Sequence, residues 1–268
     1  MSTIAVLGMP NTGKSTLFNQ LTGSHAHIGN WPGLTVDLMQ ADVDLQGTPA
    51  QLVDLPGIYD LRGHSDDEAV VRRFLESTRL DLVVVVLNAS QLDRQLRLAL
   101  QVRQLGLPAV LLLNMADEAK RFGVSIDTAS LAEDLAMPVV LLSAKYRRGL
   151  GEARHQMAKA ISNGVSKEIG AQAAVAHLDA CLAEGDDALQ RQITQLMESS
   201  VTLPPQWRDR LTRRLDGVLL HPLLGLPLFF LVMALMFQAI YAIGVPLQEA
   251  LGTLLDRFGQ GVIAPLIT

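Results

Sequence analysis

The chain has 268 residues, 18% of them charged, with a formal net charge of −5, which excludes a broad cationic face for nucleic acid. Its single cysteine, Cys181, excludes an intrachain disulfide framework and any multi-cysteine zinc or iron–sulfur site within one chain, and fits a reducing compartment. Mean hydropathy is +0.26, so an apolar segment lifts the average. That segment is not at the start, where residues 1–7 lack the basic region of a secretory signal.

Residues 3–165 alternate short apolar runs with helical patterns, as parallel strands with crossover helices do. Strands are predicted at 3–8, 36–45, 50–54, 82–88, 109–114 and 138–143, with Gln46-Gly47 as the turn of one antiparallel hairpin. The runs at 82–87 and 110–113 are apolar on both faces, as strands covered by helices on each side should be. The expectation is an α/β domain with a mixed sheet, its ligands outside the carboxyl ends of the strands. Residues 162–166 read as a linker, and beyond them the pattern is helical only. Val175, Leu178, Cys181 and Leu182 make one apolar stripe, Leu189, Ile193, Leu196 and Met197 a second, and Trp207, Leu211 and Leu215 begin a third after Pro204-Pro205. Cys181 reads as a core residue.

Residues 217–248 contain no Asp, Glu, Lys or Arg, and residues 223–245 are long and apolar enough for a helix across ~30 Å of hydrocarbon. Arg208, Arg210, Arg213 and Arg214 precede the span and only Arg257 follows it, which puts its N-terminal side in the cytoplasm. The expected organisation is a nucleotide-binding domain at 1–165, a short helical domain at 166–216, a transmembrane helix at 217–245 and an amphipathic juxtamembrane segment at 246–268.

The chemistry is concentrated at the strand ends. Gly8-Met9-Pro10-Asn11-Thr12-Gly13-Lys14-Ser15, followed by Thr16, stands between an apolar strand and a helical run, the context of a phosphate-binding P-loop. Its glycines let backbone N–H groups point at phosphate oxygens and the helix adds its positive N-terminus. Lys14 is expected to bridge the β- and γ-phosphates and Ser15 to ligate Mg²⁺. Asp54-Leu55-Pro56-Gly57 ends a second strand some forty residues on, where Asp54 can hold Mg²⁺ through water and the Gly57 N–H can approach the γ-phosphate. Asn114-Met115-Ala116-Asp117 closes another strand, and a carboxylate there can accept from the N1–H and 2-amino groups of guanine, which adenine lacks. Ser143-Ala144-Lys145 ends the last strand, where a backbone N–H can meet the guanine O6.

In this order the motifs resemble the G1, G3, G4 and G5 elements of the translation-factor-related GTPases. Between them, His27-Ile28-Gly29-Asn30-Trp31-Pro32-Gly33-Leu34-Thr35-Val36 is similar to the switch I segment of the FeoB family of bacterial ferrous iron transporters. Leu220-His221-Pro222-Leu223-Leu224-Gly225-Leu226-Pro227-Leu228-Phe229 resembles the start of that family's first membrane helix. The resemblance implies a Ras-like P-loop GTPase, a helical domain that modulates nucleotide dissociation, and the first piece of a membrane region. It makes Thr35 the switch I threonine that meets Mg²⁺, with Gly33 and Leu34 beside the nucleotide, and gives Asn11 a part in binding K⁺ next to the phosphates; Asn11 reads equally as an ordinary loop filler. GTP, Mg²⁺ and K⁺ are thus the expected substrate and cofactors, with Asn11, Lys14, Thr35 and Gly57 serving hydrolysis. Expected partners are the rest of the transporter's membrane domain, small cytosolic proteins of the same system and further copies of the chain, but no nucleic acid. The expected location is the bacterial inner membrane, with residues 1–216 in the cytoplasm.

Two features depart from that family. Residues 167–216 are short for its helical domain, and one span cannot line an Fe²⁺ path, so either the chain continues or other chains complete the pore. Ile58 follows Gly57 where Ras-like enzymes place a water-orienting glutamine, which predicts slow intrinsic turnover. His25 and His27 read as a solvated loop rather than an iron site, His221 as an interfacial residue, and Asp66-Asp67-Glu68 as an acidic helix start. Another reading is a membrane-associated GTPase switch of the same class acting in RNA or ribosome maturation, and a further one a non-catalytic switch; the acidic pI and absent basic tail oppose RNA.

Overall fold

A computed structural model describes residues 1–23, 26–31, 36–62, 65–163, 186–203 and 225–258. Seven strands form one sheet in the order β2-β3-β4-β1-β5-β6-β8: β1 (Ser2–Gly8), β2 (His27–Asn30), β3 (Asp37–Leu45), β4 (Thr48–Asp54), β5 (Leu82–Asn88), β6 (Ala109–Asn114) and β8 (Val139–Leu141). β2, β3 and β4 pair antiparallel, and β4, β1, β5, β6 and β8 run parallel, so the sheet is mixed as expected. The β3–β4 hairpin turns at Gln46 and Gly47, both at positive φ. A glycine there relieves the Cβ clash of the left-handed conformation, which Gln46 must tolerate.

Alternation along the central strands builds two cores. Ala5, Leu7, Val83, Val85, Leu87, Leu111 and Leu113 face one side. Ile4, Val6, Leu82, Val84, Val86, Val110 and Leu112 face the other. The second face is covered by α1 (Lys14–Thr22) through Leu17, Phe18 and Leu21, and by α6 (Leu150–Asn163) through Ala153 and Met157. The first is covered by α2 (Asp66–Ser77), α3 (Leu92–Gln104), α5 (Thr128–Leu135) and α7 (Asp186–Ser200). Phe18 and Phe74 are fully buried on opposite faces, and truncating either to alanine should cost about 3–5 kcal/mol.

Three differences from the sequence reading concern short or distant pairings. His27, read as part of a solvated loop, opens edge strand β2 (His27–Asn30), with Asn30 opposite Asp37; four residues are too few for a strand period to stand out. β7 (Ser125–Ile126) pairs with β9 (Val201–Thr202), joining segments far apart in sequence. The predicted strand at 138–143 is shorter, Val139–Leu141, so Ser143-Ala144-Lys145 lies in a loop beyond it.

The stripe Leu189, Ile193 and Leu196 on α7 is buried against the first core. At the far end of α7 the Ser200 carbonyl accepts from the Asp127 N–H at 2.8 Å, beside the β7–β9 pair. The first compact unit therefore runs Met1–Pro204 and includes α7. The stripes predicted around Cys181 and Trp207, and residues His25, Gly33, Leu34, Thr35 and His221, lie outside the described residues.

The second unit contains α8 (Gly225–Phe258), whose stretch Gly225–Ala242 is the one helix among the described residues long and apolar enough to cross a membrane. Leu226, Phe229, Phe230, Leu231, Val232 and Leu235 are all exposed on it. An apolar surface of that extent has no reason to face water. The helix continues beyond the predicted end of the span at 245 and through Pro246, which lacks a backbone donor.

Candidate nucleotide site

The site forms where the sheet order reverses, at the carboxyl end of β1 between β4 and β5. Gly8 ends β1 so close to β5 that a Cβ there would lie 2.6 Å from the Val86 carbonyl oxygen. Asn11 has φ 63° and Gly13 φ 78°, so the loop curls with two residues in the left-handed region. Gly13 also caps α1 and donates no side chain to it, leaving the first helix amides facing the loop. Thr12 is fully buried and its Oγ1 donates to the Met9 carbonyl at 2.9 Å, closing the loop on itself.

Lys14 and Ser15 open α1 and face Asp54 at the end of β4. The Lys14 ammonium is paired with the Asp54 carboxylate and donates to the Leu55 carbonyl at 2.5 Å, and Ser15 Oγ lies 3.4 Å from Asp54 Oδ2. The chain beyond Asp54 is fastened to the loop: the Leu55 N–H donates to the Val6 carbonyl at 3.2 Å and the Ile58 N–H to the Gly8 carbonyl at 3.1 Å. A Cβ on Gly57 would stand 3.1 Å from the Pro10 nitrogen, so only glycine lets these segments meet unhindered. Ile58 itself is buried. Met9, Pro10, Asn11, Lys14, Ser15, Gly57 and Asp67 line a cavity of about 430 Å³ here, together with Gly13 and Thr16.

Gly13 and Thr16 also line a second cavity, of about 630 Å³, so the two adjoin. Its far wall carries Asn114, Met115, Asp117, Ser143 and Lys145. Asn114 is 3% exposed and ties the two halves: its Nδ2 donates to the Thr12 carbonyl at 2.9 Å and its Oδ1 accepts from the Ala144 N–H at 2.9 Å. Met115 sits at φ 62° and caps α4 (Ala116–Arg121), which swings Asp117 into the cavity wall. There the Ser143 hydroxyl donates to Asp117 Oδ1 at 2.5 Å. Paired backbone bonds between Ser143 and Arg148, at 3.0 and 3.1 Å, close the loop carrying Ala144 and Lys145.

Thus, of the sequence-predicted residues, those at 9–11, 13–16 and 57 and those at 114, 115, 117, 143 and 145 line the two adjoining cavities, while Gly8, Thr12, Asp54, Leu55 and Ala144 support them through the contacts above and Pro56 and Ala116 line neither. Sequence reasoning missed Glu118, Arg121, Tyr146 and Arg148, which line the larger cavity, and Asp67, which reaches the smaller one. The Lys145 ammonium lies 5.3 Å from the Tyr146 ring centroid. For Tyr146 and Arg148 the available signal is their position just past Ser143-Ala144-Lys145, and for Glu118 its position next to Asp117. Asp66-Asp67-Glu68 does start a helix, with Ser65 and Glu68 forming a capping box. Among the described residues no cluster of His, Cys, Asp and Glu is arranged to hold a metal ion without a nucleotide.

Comparison with known proteins agrees with this geometry. A Synechocystis protein named Fe(2+) transporter FeoB is 45% identical over 265 residues, 99% of this chain and 42% of that protein. The chain thus spans about two fifths of that relative's length. The cytosolic domain of L. pneumophila FeoB superposes with a TM-score of 0.64 at 27% identity, covering 75% of this chain and all of that one. The G domain of T. maritima FeoB gives 0.55 at 34% identity over 60% of this chain and 98% of its own. The sheet with its flanking helices is that of a P-loop GTPase. Residues 2–157 match the family described as ferrous iron transport protein B, and the chain belongs to that family.

Proposed function

We propose that this chain is the GTP-binding and GTP-hydrolysing regulatory part of a bacterial ferrous iron transporter, a slow Mg²⁺-dependent GTPase stimulated by K⁺. The observation that carries the reading is the pair of joined cavities, one walled by a P-loop and the other by the Asp117 carboxylate. A guanine in the larger cavity can give two N–H groups to Asp117, and the backbone N–H of Lys145 is the donor left for its O6, since that of Ala144 is given to Asn114. Diphosphate and γ-phosphate then fall to the smaller cavity, where the loop amides and Lys14 bind them. Family membership favours this over a role in RNA maturation.

Ser15 and Asp54 fit Mg²⁺, because their hard oxygens converge to 3.4 Å beside the phosphate cavity. When bound, the ion neutralises charge on the β- and γ-phosphate oxygens. Asn11 lines the same cavity and supplies an amide oxygen suited to K⁺. Lys14 exchanges its contacts with Asp54 and the Leu55 carbonyl for phosphate oxygens. The Gly57 N–H meets the γ-phosphate, and Ile58, buried and apolar, orients no water, so turnover is slow. In this reading Thr35 would help to hold Mg²⁺ only when a γ-phosphate is bound, so switch I would order with GTP and loosen with GDP.

In this reading residues 1–165 form the G domain, 166–216 a short helical part and 217–245 a membrane helix, followed by a juxtamembrane segment at 246–268. The chain lies in the inner membrane with residues 1–216 cytoplasmic, and assembles with the remainder of the membrane domain, further copies and small cytosolic partners. The test is binding and turnover of GTP against ATP in KCl and NaCl. GTP is expected to bind at least tenfold more tightly and to turn over faster in K⁺. Equal binding of ATP would remove the guanine assignment.

A further inference from the structure

Two exposed segments meet at the rim of the larger cavity. One is the end of α4, where Lys120, Arg121 and Phe122 follow in succession, with the Arg121 guanidinium 5.0 Å from the centroid of the Phe122 ring. The other is the tip of the loop closed by the Ser143 and Arg148 backbone bonds, Lys145-Tyr146-Arg147-Arg148, in which Lys145 and Arg148 stand 5.3 and 6.0 Å from the Tyr146 ring centroid. Arg121, Lys145, Tyr146 and Arg148 line the same cavity, which puts the two segments side by side. All of these residues are exposed, and the rings are no exception: Phe122 is 51% and Tyr146 53% exposed.

The chain as a whole carries a net charge of −5, yet Lys120, Arg121, Lys145, Arg147 and Arg148 are grouped here. Elsewhere arginines find carboxylates: Arg62 and Arg97 share Asp186, and Arg72 pairs with Glu76. On the rim, among the described residues, only Arg121 has an ion pair, with Glu118 at 3.6 Å. Lys120 and Arg121 also suit the negative end of α4, which accounts for those two cations but not for the three on a separate loop, nor for two rings left in water. The loop tip is pinned by its backbone. Arg147 has φ 56° and Gly149 φ 77°, and a Cβ on Gly149 would stand 2.8 Å from the Leu141 carbonyl oxygen. A glycine at 147 would take its φ without strain; the arginine sets a cation at the tip instead.

We propose that this cationic and aromatic rim is a docking surface for anionic lipid. Exposed rings settle at the headgroup level of a bilayer and unpaired cations beside them meet its phosphates, so the combination fits a membrane surface better than water. The chain brings its own bilayer, since Gly225–Ala242 is long and apolar enough to cross one, and the inference rests on that reading of the helix. Residues 204–224 separate the two units, and even a fully extended chain of that length reaches only about 75 Å. Tethering of this kind gives the rim a high local concentration of lipid, so a surface too weak to recruit a free protein is sufficient here. Arg121, Tyr146 and Arg148 belong both to the rim and to the cavity assigned to guanine, so lipid and nucleotide meet on the same side chains.

The test reconstitutes the full chain into vesicles of phosphatidylcholine, or of phosphatidylcholine and phosphatidylglycerol in equal parts, each with a nitroxide on a fraction of the headgroups. Tyr146→Trp places a fluorophore on the rim, and its emission is read as the difference from the parent chain. Quenching is expected on the mixed vesicles and not on the neutral ones, and should vanish as KCl rises from about 0.1 to 1 M, where the screening length falls from about 10 to 3 Å. Adding Lys120→Gln and Arg147→Gln, neither of which lines the cavity, should lower the docked-to-free ratio by about twentyfold or more, about fivefold for each cation. Hydrogen exchange over residues 142–150 of the unsubstituted chain gives a second reading, with slower exchange expected on the mixed vesicles alone. Equal quenching and equal exchange on the two vesicles, or quenching indifferent to salt and to both substitutions, would overturn the proposal. Retention of a single-stranded RNA that depends on Lys120 and Arg147, without quenching on the mixed vesicles, would place nucleic acid on the rim and overturn the lipid assignment. Flotation with neutral vesicles is measured in parallel: a chain that fails to float refutes the membrane helix and with it the tether, whereas a chain that floats without lipid-charge dependence refutes the docking surface alone.

Discussion

Replacing Asn114 by alanine should loosen the nucleotide site and the domain together. The side chain is 3% exposed and makes two buried bonds of 2.9 Å, one to the Thr12 carbonyl and one from the Ala144 N–H. Alanine removes both partners and leaves a buried acceptor and a buried donor, at about 1–3 kcal/mol each. The adjoining cavity of about 630 Å³ can admit water to the exposed groups, which favours the lower half of the range, about 2–4 kcal/mol in total. For a domain of this size that corresponds to a fall in melting temperature of about 4–16 °C. Affinity for GDP and GTP should fall alike, because the P-loop and the base loop lose their common tie. Asn114→Asp retains the acceptor for Ala144 but sets a carboxylate against the Thr12 carbonyl, so it should be no better tolerated. Thermal unfolding of the nucleotide-free chain, followed by circular dichroism, measures the effect. A fall of less than about 1 °C for Asn114→Ala would show that the two buried bonds do not hold the loops as argued.

Four further outcomes follow from the same geometry. Asp117→Asn should weaken GDP about tenfold or more and favour xanthosine diphosphate, whose 2-oxo group accepts from the new amide; calorimetric titration of both ligands decides it. Gly13→Ala should abolish nucleotide binding, because φ is 78° and the added Cβ would stand 2.5 Å from Asn114 Nδ2; binding within a few-fold of the parent would contradict the geometry. Asn11→Gly keeps the positive φ but removes the amide oxygen, so turnover should lose its K⁺ stimulation while nucleotide affinity is largely retained; a preserved KCl-to-NaCl rate ratio would exclude Asn11 from the cation site. Hydrogen bonds from Arg62 and Arg97 hold the Asp186 carboxyl at about 2, below its usual 3.8, so its stabilising contribution is complete above the usual value and lost as pH falls through the lower one. The difference in urea midpoint between the parent chain and Asp186→Asn should therefore be constant from about pH 7 to 5 and disappear toward pH 2, and a difference persisting at the acid end would refute the pairing.

The sequence alone determined the parts of this protein whose physics is local. A strand, a glycine-bounded loop and a helix start are contiguous at residues 4–22, so the phosphate site can be read in one pass. Asp54, Asn114 and Asp117 were legible because each stands at or just past the end of an apolar run, where an α/β sheet keeps its ligands. The apolar span is likewise a property of composition over one segment. What only the tertiary structure decided are the partners. Asn114 joins loops 102 and 30 residues away, Trp31 docks on Thr78 across 47 residues, and Arg62 reaches Asp186 across 124. β2, β7 and β9 are four, two and two residues long, too short for a period, and their pairing depends on which segments folding brings alongside. Residue spacing along a chain fixes which face of an element a side chain occupies, but the identity of the group opposite it is set by the packing of separate elements.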